Sequence, residues 1–153
     1  MFLHIKKTAY ILLVAVFLFV LDRYLKYLAL GLDGKEINLV SDFFKFNFVK
    51  NYFIAFSIPL SGNFLLILIL LILLTLLYFI YKLIKERKIL ESSLLLCVFA
   101  GAISNLYDRL EYGYVVDYLD LKYFTVFNVA DTMIVCGVII FLFVSIKNDR
   151  QKT

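Results

Sequence analysis

Four long apolar stretches divide the chain, and each has the length and composition of a helix that crosses a membrane. They lie at about 8–30, 63–83, 90–109 and 129–147. A helix needs roughly 20 residues to cross about 30 Å of hydrocarbon, and each stretch reaches that length once its polar ends are included. The first stretch also has the basic start and apolar middle of a secretory signal peptide. Because three further apolar stretches follow it, we predict a retained helix and an all-α membrane protein with four transmembrane helices.

The connection between the first two stretches has a different pattern. Phenylalanines alternate there with other residues, as Phe44, Phe46 and Phe48 against Lys45, Asn47 and Val49. This is the period of a strand with one apolar face. We therefore expect a small extracytoplasmic β element that rests on the outer membrane surface. The second long connection, 111–127, carries Asp117 and Asp120 among tyrosines and phenylalanines, which predicts an interfacial loop.

Composition places the chain outside the soluble globular class. Of its 153 residues, 63% are hydrophobic, and the mean hydropathy is +0.92. This length has room for one integral membrane domain, 1–153. A net charge of +4 could suggest a nucleic-acid partner, but most basic residues lie in short clusters beside the apolar stretches, where they orient a membrane protein. We therefore expect no nucleic-acid partner.

The basic residues gather on one side of the predicted helices. One side, made of both termini and the link between the second and third helices, holds nine basic and three acidic residues. The other side holds seven basic and nine acidic residues. The positive-inside rule therefore predicts that both termini are cytoplasmic. Asp22, Asp108 and Asp131 lie 15 to 17 residues from the nearest charge on that side. At about 1.5 Å per residue, three helices should each present a carboxylate at one level, near the outer leaflet.

Asp117 and Asp131 are the candidate catalytic residues, since each has apolar neighbours. Ionisable groups in or beside a membrane are costly and usually functional. Two carboxylates that share a site cannot easily both ionise, so one keeps a proton while the other stays charged. Such a pair supplies a base to activate water and an acid for the leaving amine. The structural alternative is that Asp131 and Asn128 only cap a helix, which leaves Asp117 unexplained.

Other polar residues could support such a site. Asp22 and Lys26 share a helix face and can pair, and their structural alternative is simply to stabilise the helix end. Asn105 and Arg109 lie one turn apart on the third helix. An asparagine in an apolar helix needs a polar partner, whereas Arg109 could snorkel to the interface. Gly101 and its small neighbours allow another helix to approach closely.

The sequence offers no clear metal site or activated nucleophile. The single histidine, His4, lies in the basic N-terminal region, and Cys97 and Cys136 lack metal-ligand spacing. Ser104 has no histidine nearby. A proton or ion transporter would need acids that step across the bilayer, and a non-catalytic scaffold would leave Asp117 without a purpose. We expect neither a metal nor another cofactor.

At these residues the sequence resembles the bacterial lipoprotein signal peptidases, or signal peptidase II family. Five ordered blocks carry the resemblance: Asp22 with Lys26, Asn51 with Ala55-Phe56, Gly101 to Asn105 with Asp108-Arg109, Val115 to Tyr118, and Phe127 to Asp131. One departure is Phe53, where the family commonly has glycine. The resemblance implies an aspartic endopeptidase of the bacterial inner membrane, which cuts prolipoproteins before the diacylglyceryl-cysteine.

The resemblance also implies roles for individual residues and partners. Asp117 and Asp131 match the two catalytic aspartates of the family. Positions expected to orient the substrate or the dyad, or to support the first helix, are Asn51, Asn105, Arg109, Asn128, Asp22 and Lys26. The implied partners are prolipoprotein signal peptides with a lipidated cysteine and membrane lipids. We expect a monomer with its active site near the outer leaflet.

Overall fold

The structure is a computed structural model that describes residues 2–32, 34–52 and 62–150. Its elements are α1 (Phe2–Leu30), β1 (Ile37–Val40), β2 (Phe44–Asn51), α2 (Gly62–Lys85), α3 (Ile89–Tyr112), β3 (Val115–Leu121) and α4 (Val129–Arg150). All four helices are long and apolar enough to cross a membrane. The predicted fold class, four candidate spans with a small β element, is therefore confirmed. Phe53, Ala55 and Phe56 of the family resemblance, and the side chain of His4, lie outside the described residues.

Helix α3 is the element against which the other three helices pack. Of the residues in an 18-residue apolar segment of α3, 56% are buried, compared with 11 to 17% in the corresponding segments of the other three helices. Gly101 makes the contact with α4 close, because a Cβ atom there would lie 2.6 Å from the carbonyl oxygen of Ala130. Glycine is the residue that permits such an approach of two helix backbones. The contact brings Asn105 of α3 beside Asp131 of α4.

The three strands form one antiparallel sheet in the order β1-β2-β3. Strand β2 contains the predicted phenylalanines, but a bulge between Phe46 and Val49 interrupts their alternation. Phe46 and Phe48 pack against a core that includes Ala29 of α1 and Tyr118 of β3. The sheet is thereby attached to the C-terminal end of α1.

The segment 115–121, predicted above as part of an interfacial loop, is the strand β3. Its first four residues, Val115 to Tyr118, are all buried. Because both faces are covered, the segment lacks the alternation of a strand with one solvated face. Val115 pairs with Asn51 and Asp117 pairs with Val49. The strand carries Asp117 into the protein, next to the start of α4.

Candidate active site

Asn128 joins the two aspartates of the predicted dyad. Its Nδ2 donates to Asp117 Oδ1 at 2.7 Å, and its backbone N–H donates to Asp131 Oδ2 at 3.3 Å. In return, its Oδ1 accepts a hydrogen bond of 2.8 Å from the backbone N–H of Asp131. The last two bonds form a capping box at the start of α4. Asp131 therefore caps the helix and lies in the candidate site at the same time.

The backbone returns to this position through a short antiparallel contact. Leu119 N–H donates to the carbonyl of Phe127 at 2.8 Å, and Phe127 N–H donates back at 3.1 Å. These bonds close the turn after β3. As a result, Asn128 lies beside Asp117, although the two residues are 11 positions apart in the sequence.

Two further asparagines complete the hydrogen bonding of the carboxylates. Asn51 Nδ2, at the end of β2, donates to Asp117 Oδ2 at 2.9 Å. Asn105 Nδ2, on α3, donates to Asp131 Oδ1 at 2.7 Å. Each oxygen of Asp117 and Asp131 thus accepts a hydrogen bond from an amide N–H. The amides orient both carboxylates without adding a formal charge.

Asp117 is poised to exchange a proton near neutral pH. Burial raises its pKa from the ordinary 3.8 to about 7, and the negative charge of Asp131 contributes to the rise. Hydrogen bonds from Asn51 and Asn128, together with the positive charge of Lys26, oppose it. A carboxyl group with a pKa near the working pH can act both as an acid and as a base.

Arg109 adds a positive charge to this region. It lies one turn beyond Asn105 on α3, and its Nη1 donates to the backbone carbonyl of Asn105 at 3.4 Å. The charges of Asp131 and Asp117 act on its guanidinium group. Arg109 therefore lies within electrostatic range of the two aspartates.

Asp22 and Lys26 form the ion pair that their spacing predicts, but within a larger cluster. Lys26 Nζ lies 3.1 Å from Asp22 Oδ2 and 2.7 Å from Asp108 Oδ2. Arg23 binds the other oxygen of Asp108 at 2.5 Å. Asp22, Lys26 and Asp108 are fully buried. These two acids and two bases, hereafter the ion cluster, have no net charge and connect α1 to α3.

Sequence reasoning missed three members of this region: Arg23, Ser104 and Tyr118. Ser104 Oγ donates to Asp22 Oδ2 at 2.6 Å, and the Tyr118 hydroxyl donates to Asp22 Oδ1 at 2.9 Å. Burial and the charge of Asp22 raise the pKa of Tyr118, so its hydroxyl keeps its proton. The sequence could have indicated Ser104 and Tyr118, because polar side chains among buried apolar residues need hydrogen-bond partners.

The described residues contain no group of three or more histidine, cysteine, aspartate and glutamate side chains placed to hold a metal ion. Cys97 and Cys136 are free thiols on α3 and α4. The expectation that the protein uses no cofactor stays a prediction.

Known proteins resemble this chain in both sequence and fold. The model of the signal peptidase (SPase) II family matches residues 14–147. The lipoprotein signal peptidase of Clostridium acetobutylicum is 39% identical over 152 residues, which cover 92% of this chain and 96% of that protein. That of Clostridium novyi is 35% identical over 136 residues, covering 83% of this chain and 90% of that protein.

A solved structure agrees with these relatives. It is described as a bacterial membrane enzyme determined by the in meso method at 2.3 Å resolution, and it matches with a TM-score of 0.77 and 30% identity. The match covers 95% of this chain and 92% of the other. The chain therefore belongs to the signal peptidase II family, the multi-pass bacterial membrane proteases that remove signal peptides from lipoprotein precursors.

Proposed function

We propose that Asp117 and Asp131 form an aspartic protease dyad, which activates water to cut the precursor just before its lipid-modified cysteine. The observation that carries the proposal is the set of amide hydrogen bonds to all four carboxylate oxygens. Asn128 hydrogen-bonds to both acids and so links them. Two neighbouring carboxylates share a proton more easily than they both ionise.

In this mechanism the dyad begins with one proton. The charged carboxylate takes a proton from water as the water oxygen attacks the scissile carbonyl carbon. The protonated carboxyl group donates a hydrogen bond to the carbonyl oxygen, and its proton then passes to the leaving amine as the C–N bond breaks. The dyad again holds one proton, which has moved to the other aspartate.

The surroundings of Ser104 support an aspartic rather than a serine mechanism. Its hydroxyl is fully buried and donates to Asp22 within the region of the ion cluster. A serine nucleophile needs an adjacent general base and access to the substrate. Ser104 instead has a structural role between α1 and α3.

We place the dyad near the outer leaflet, with both termini in the cytoplasm. The last turns of α2 and α4 carry Lys82, Lys85, Lys147 and Arg150. By the positive-inside rule, that end of the bundle faces the cytoplasm. Asp131 lies in the first turn of α4, at the opposite end. A signal peptide inserted with its basic end inside would present its cleavage site at that level. We expect a monomer whose exposed apolar helix faces contact membrane lipids.

Cleavage of a lipidated precursor by purified variants tests the dyad. Asp117→Asn and Asp131→Asn should each lose about 10²- to 10⁴-fold in kcat, because an amide matches the carboxylate in shape but cannot exchange protons. Asp120→Asn is the matched control, since Asp120 lies on the same strand and bonds to Asn47 instead. The control should retain its activity.

Thermal unfolding of each variant in detergent separates lost chemistry from lost structure. Both dyad variants should remain folded. If either one retained most of its activity, the aspartic mechanism would be excluded.

A further inference from the structure

We propose that Lys26 is a positioning residue for the dyad, because its ammonium group fixes which end of the Asn105 amide faces Asp131. This role rests on the aspartic dyad proposed above and extends it to α1. The described contacts of Lys26 go to the ion cluster, Ser104 and Asn105. Lys26 therefore acts on the dyad through Asn105.

The hydrogen-bond partners of Asn105 permit only one orientation of its side-chain amide. Its Oδ1 accepts from Lys26 Nζ at 2.8 Å, and its Nδ2 donates to Asp131 Oδ1 at 2.7 Å. An ammonium group only donates and a carboxylate only accepts. Rotating the amide by half a turn would place its NH₂ against the ammonium and its oxygen against the carboxylate. Both contacts would then be repulsive, so Lys26 and Asp131 together select the observed orientation.

A second donor reaches the same oxygen but constrains it less. Asn128 Nδ2 lies 3.2 Å from Asn105 Oδ1. This amide is uncharged, and it lies closer to another acceptor, Asp117 Oδ1, at 2.7 Å. A charge-assisted hydrogen bond at shorter range is the stronger one. The bond from Lys26 is therefore the main constraint on Asn105 from this side.

The ion cluster holds the ammonium in place. Its three N–H groups have three close acceptors: Asp22 at 3.1 Å, Asp108 at 2.7 Å and Asn105 at 2.8 Å. A buried ammonium is costly unless it is paired. Arg23 balances the second acid of the cluster. The cluster thus provides a neutral setting in which the ammonium group of Lys26 can bind Asn105.

The same ammonium acts on the dyad through its charge. Asp117 lies in the field of Asp131 from α4, Lys26 from α1 and Arg109 from α3. The charge of Lys26 lowers the pKa of Asp117 against the larger effect of burial. Removing Lys26 should therefore let the dyad keep its proton to higher pH. A neutral residue at this position would have no such effect.

The test compares two double variants that both leave the ion cluster neutral. Lys26→Met alone would leave an unbalanced buried carboxylate, so it is combined with Asp22→Asn, and Asp108 then remains paired with Arg23. The matched control, Asp22→Asn with Arg23→Met, leaves Asp108 paired with Lys26. Any effect of the amide at position 22 is common to both proteins. They differ only in which cation is lost.

Cleavage of a lipidated precursor should separate the two proteins. Relative to the control, the variant without Lys26 should lose about 10- to 100-fold in kcat with little change in KM, and the alkaline limb of its pH profile should lie at higher pH. Because the charge of Asp22 also acts on the dyad and is absent from both proteins, the control is the reference for kcat and for the pH profile. Equal kcat values in the two proteins, whether high or low, would overturn the positioning role.

A further variant keeps the test decisive if the first does not remain folded in detergent. Lys26→Met with Asp108→Asn leaves Asp22 and Arg23 as the two remaining charges of the ion cluster, both within hydrogen-bond distance of Ser104 Oγ, and it is judged by the same kcat and pH criteria. Asp117→Asn is assayed in parallel. If Asp117→Asn were active, the dyad itself would fail, whereas an inactive Asp117→Asn beside a fully active Lys26 variant would refute only the role of Lys26.

Discussion

Two pairs of aspartates lie close together in this protein, and their partners differ in kind. Asp22 and Asp108 bind the cations Lys26 and Arg23. The described hydrogen bonds to Asp117 and Asp131 come from neutral amides. The pairs are neighbours, since Asp22 Oδ1 also accepts from the backbone N–H of Ala130 at 3.0 Å. Asp22, Asp108 and Asp117 are buried and Asp131 is partly buried, so the kind of partner is what distinguishes the acids that join helices from the acids of the proposed dyad.

The largest effect on stability should follow from Asp108→Asn. Asp108 is fully buried and binds both Lys26 and Arg23. Removing one partner of a buried ion pair costs about 3–5 kcal/mol, because a charge is left uncompensated. Thermal or denaturant unfolding in detergent measures the loss. An unchanged unfolding midpoint would show that the ion cluster does not stabilise the contact between α1 and α3.

The corresponding substitution in the dyad, Asp117→Asn, should leave the unfolding midpoint at pH 8 unchanged or raise it. The pKa of Asp117 is about 7 in the folded protein, above its ordinary 3.8. The folded state therefore binds more protons than the unfolded state between these values, and stability falls as pH rises through this window. Asparagine cannot ionise and so avoids that loss. If Asp117→Asn were as destabilising as Asp108→Asn, the distinction between the two pairs would be lost.

Asn51→Ala should have a smaller effect, on the pH dependence of cleavage. The hydrogen bond from Asn51 to Asp117, 2.9 Å long, lowers the pKa of that carboxyl group. Its removal should raise the pKa, so the alkaline limb of the rate profile should shift to higher pH. Asn47→Ala is the control on the same strand, because Asn47 bonds to Asp120. A shift of equal size in the control would contradict a specific role for Asn51.

The local features of the fold were visible in the sequence. Four apolar stretches of spanning length predict the four helices, and the spacing of Asp22 and Lys26 predicts their ion pair. The alternation in β2 predicts a strand. By contrast, β3 gives no alternating pattern, because Val115, Val116, Asp117 and Tyr118 are all buried. A strand covered on both faces is easily taken for an irregular apolar segment.

The long-range contacts of the site could not be read from one sequence. Arg23 and Asp108 are 85 positions apart, and Lys26 and Asn105 are 79 apart. Nothing in the local pattern links such residues until α1 packs against α3. The family resemblance pointed to the asparagines, whereas the sharing of Asn128 between both acids depends on the turn after β3. Helices follow from local pattern, and the site follows from how they pack.

The dependence of the cleavage rate on pH, measured with EDTA present, tests the shared proton most directly. Activity that needs one charged and one protonated carboxyl group should trace a bell, whose limbs belong to the pair and not to either residue. The alkaline limb should lie near neutral pH, because burial and the charge of Asp131 raise the pKa of Asp117 to about 7, and EDTA should change neither limb. A rate that stayed on a plateau at alkaline pH, or activity lost on chelation and restored by zinc, would contradict the dyad.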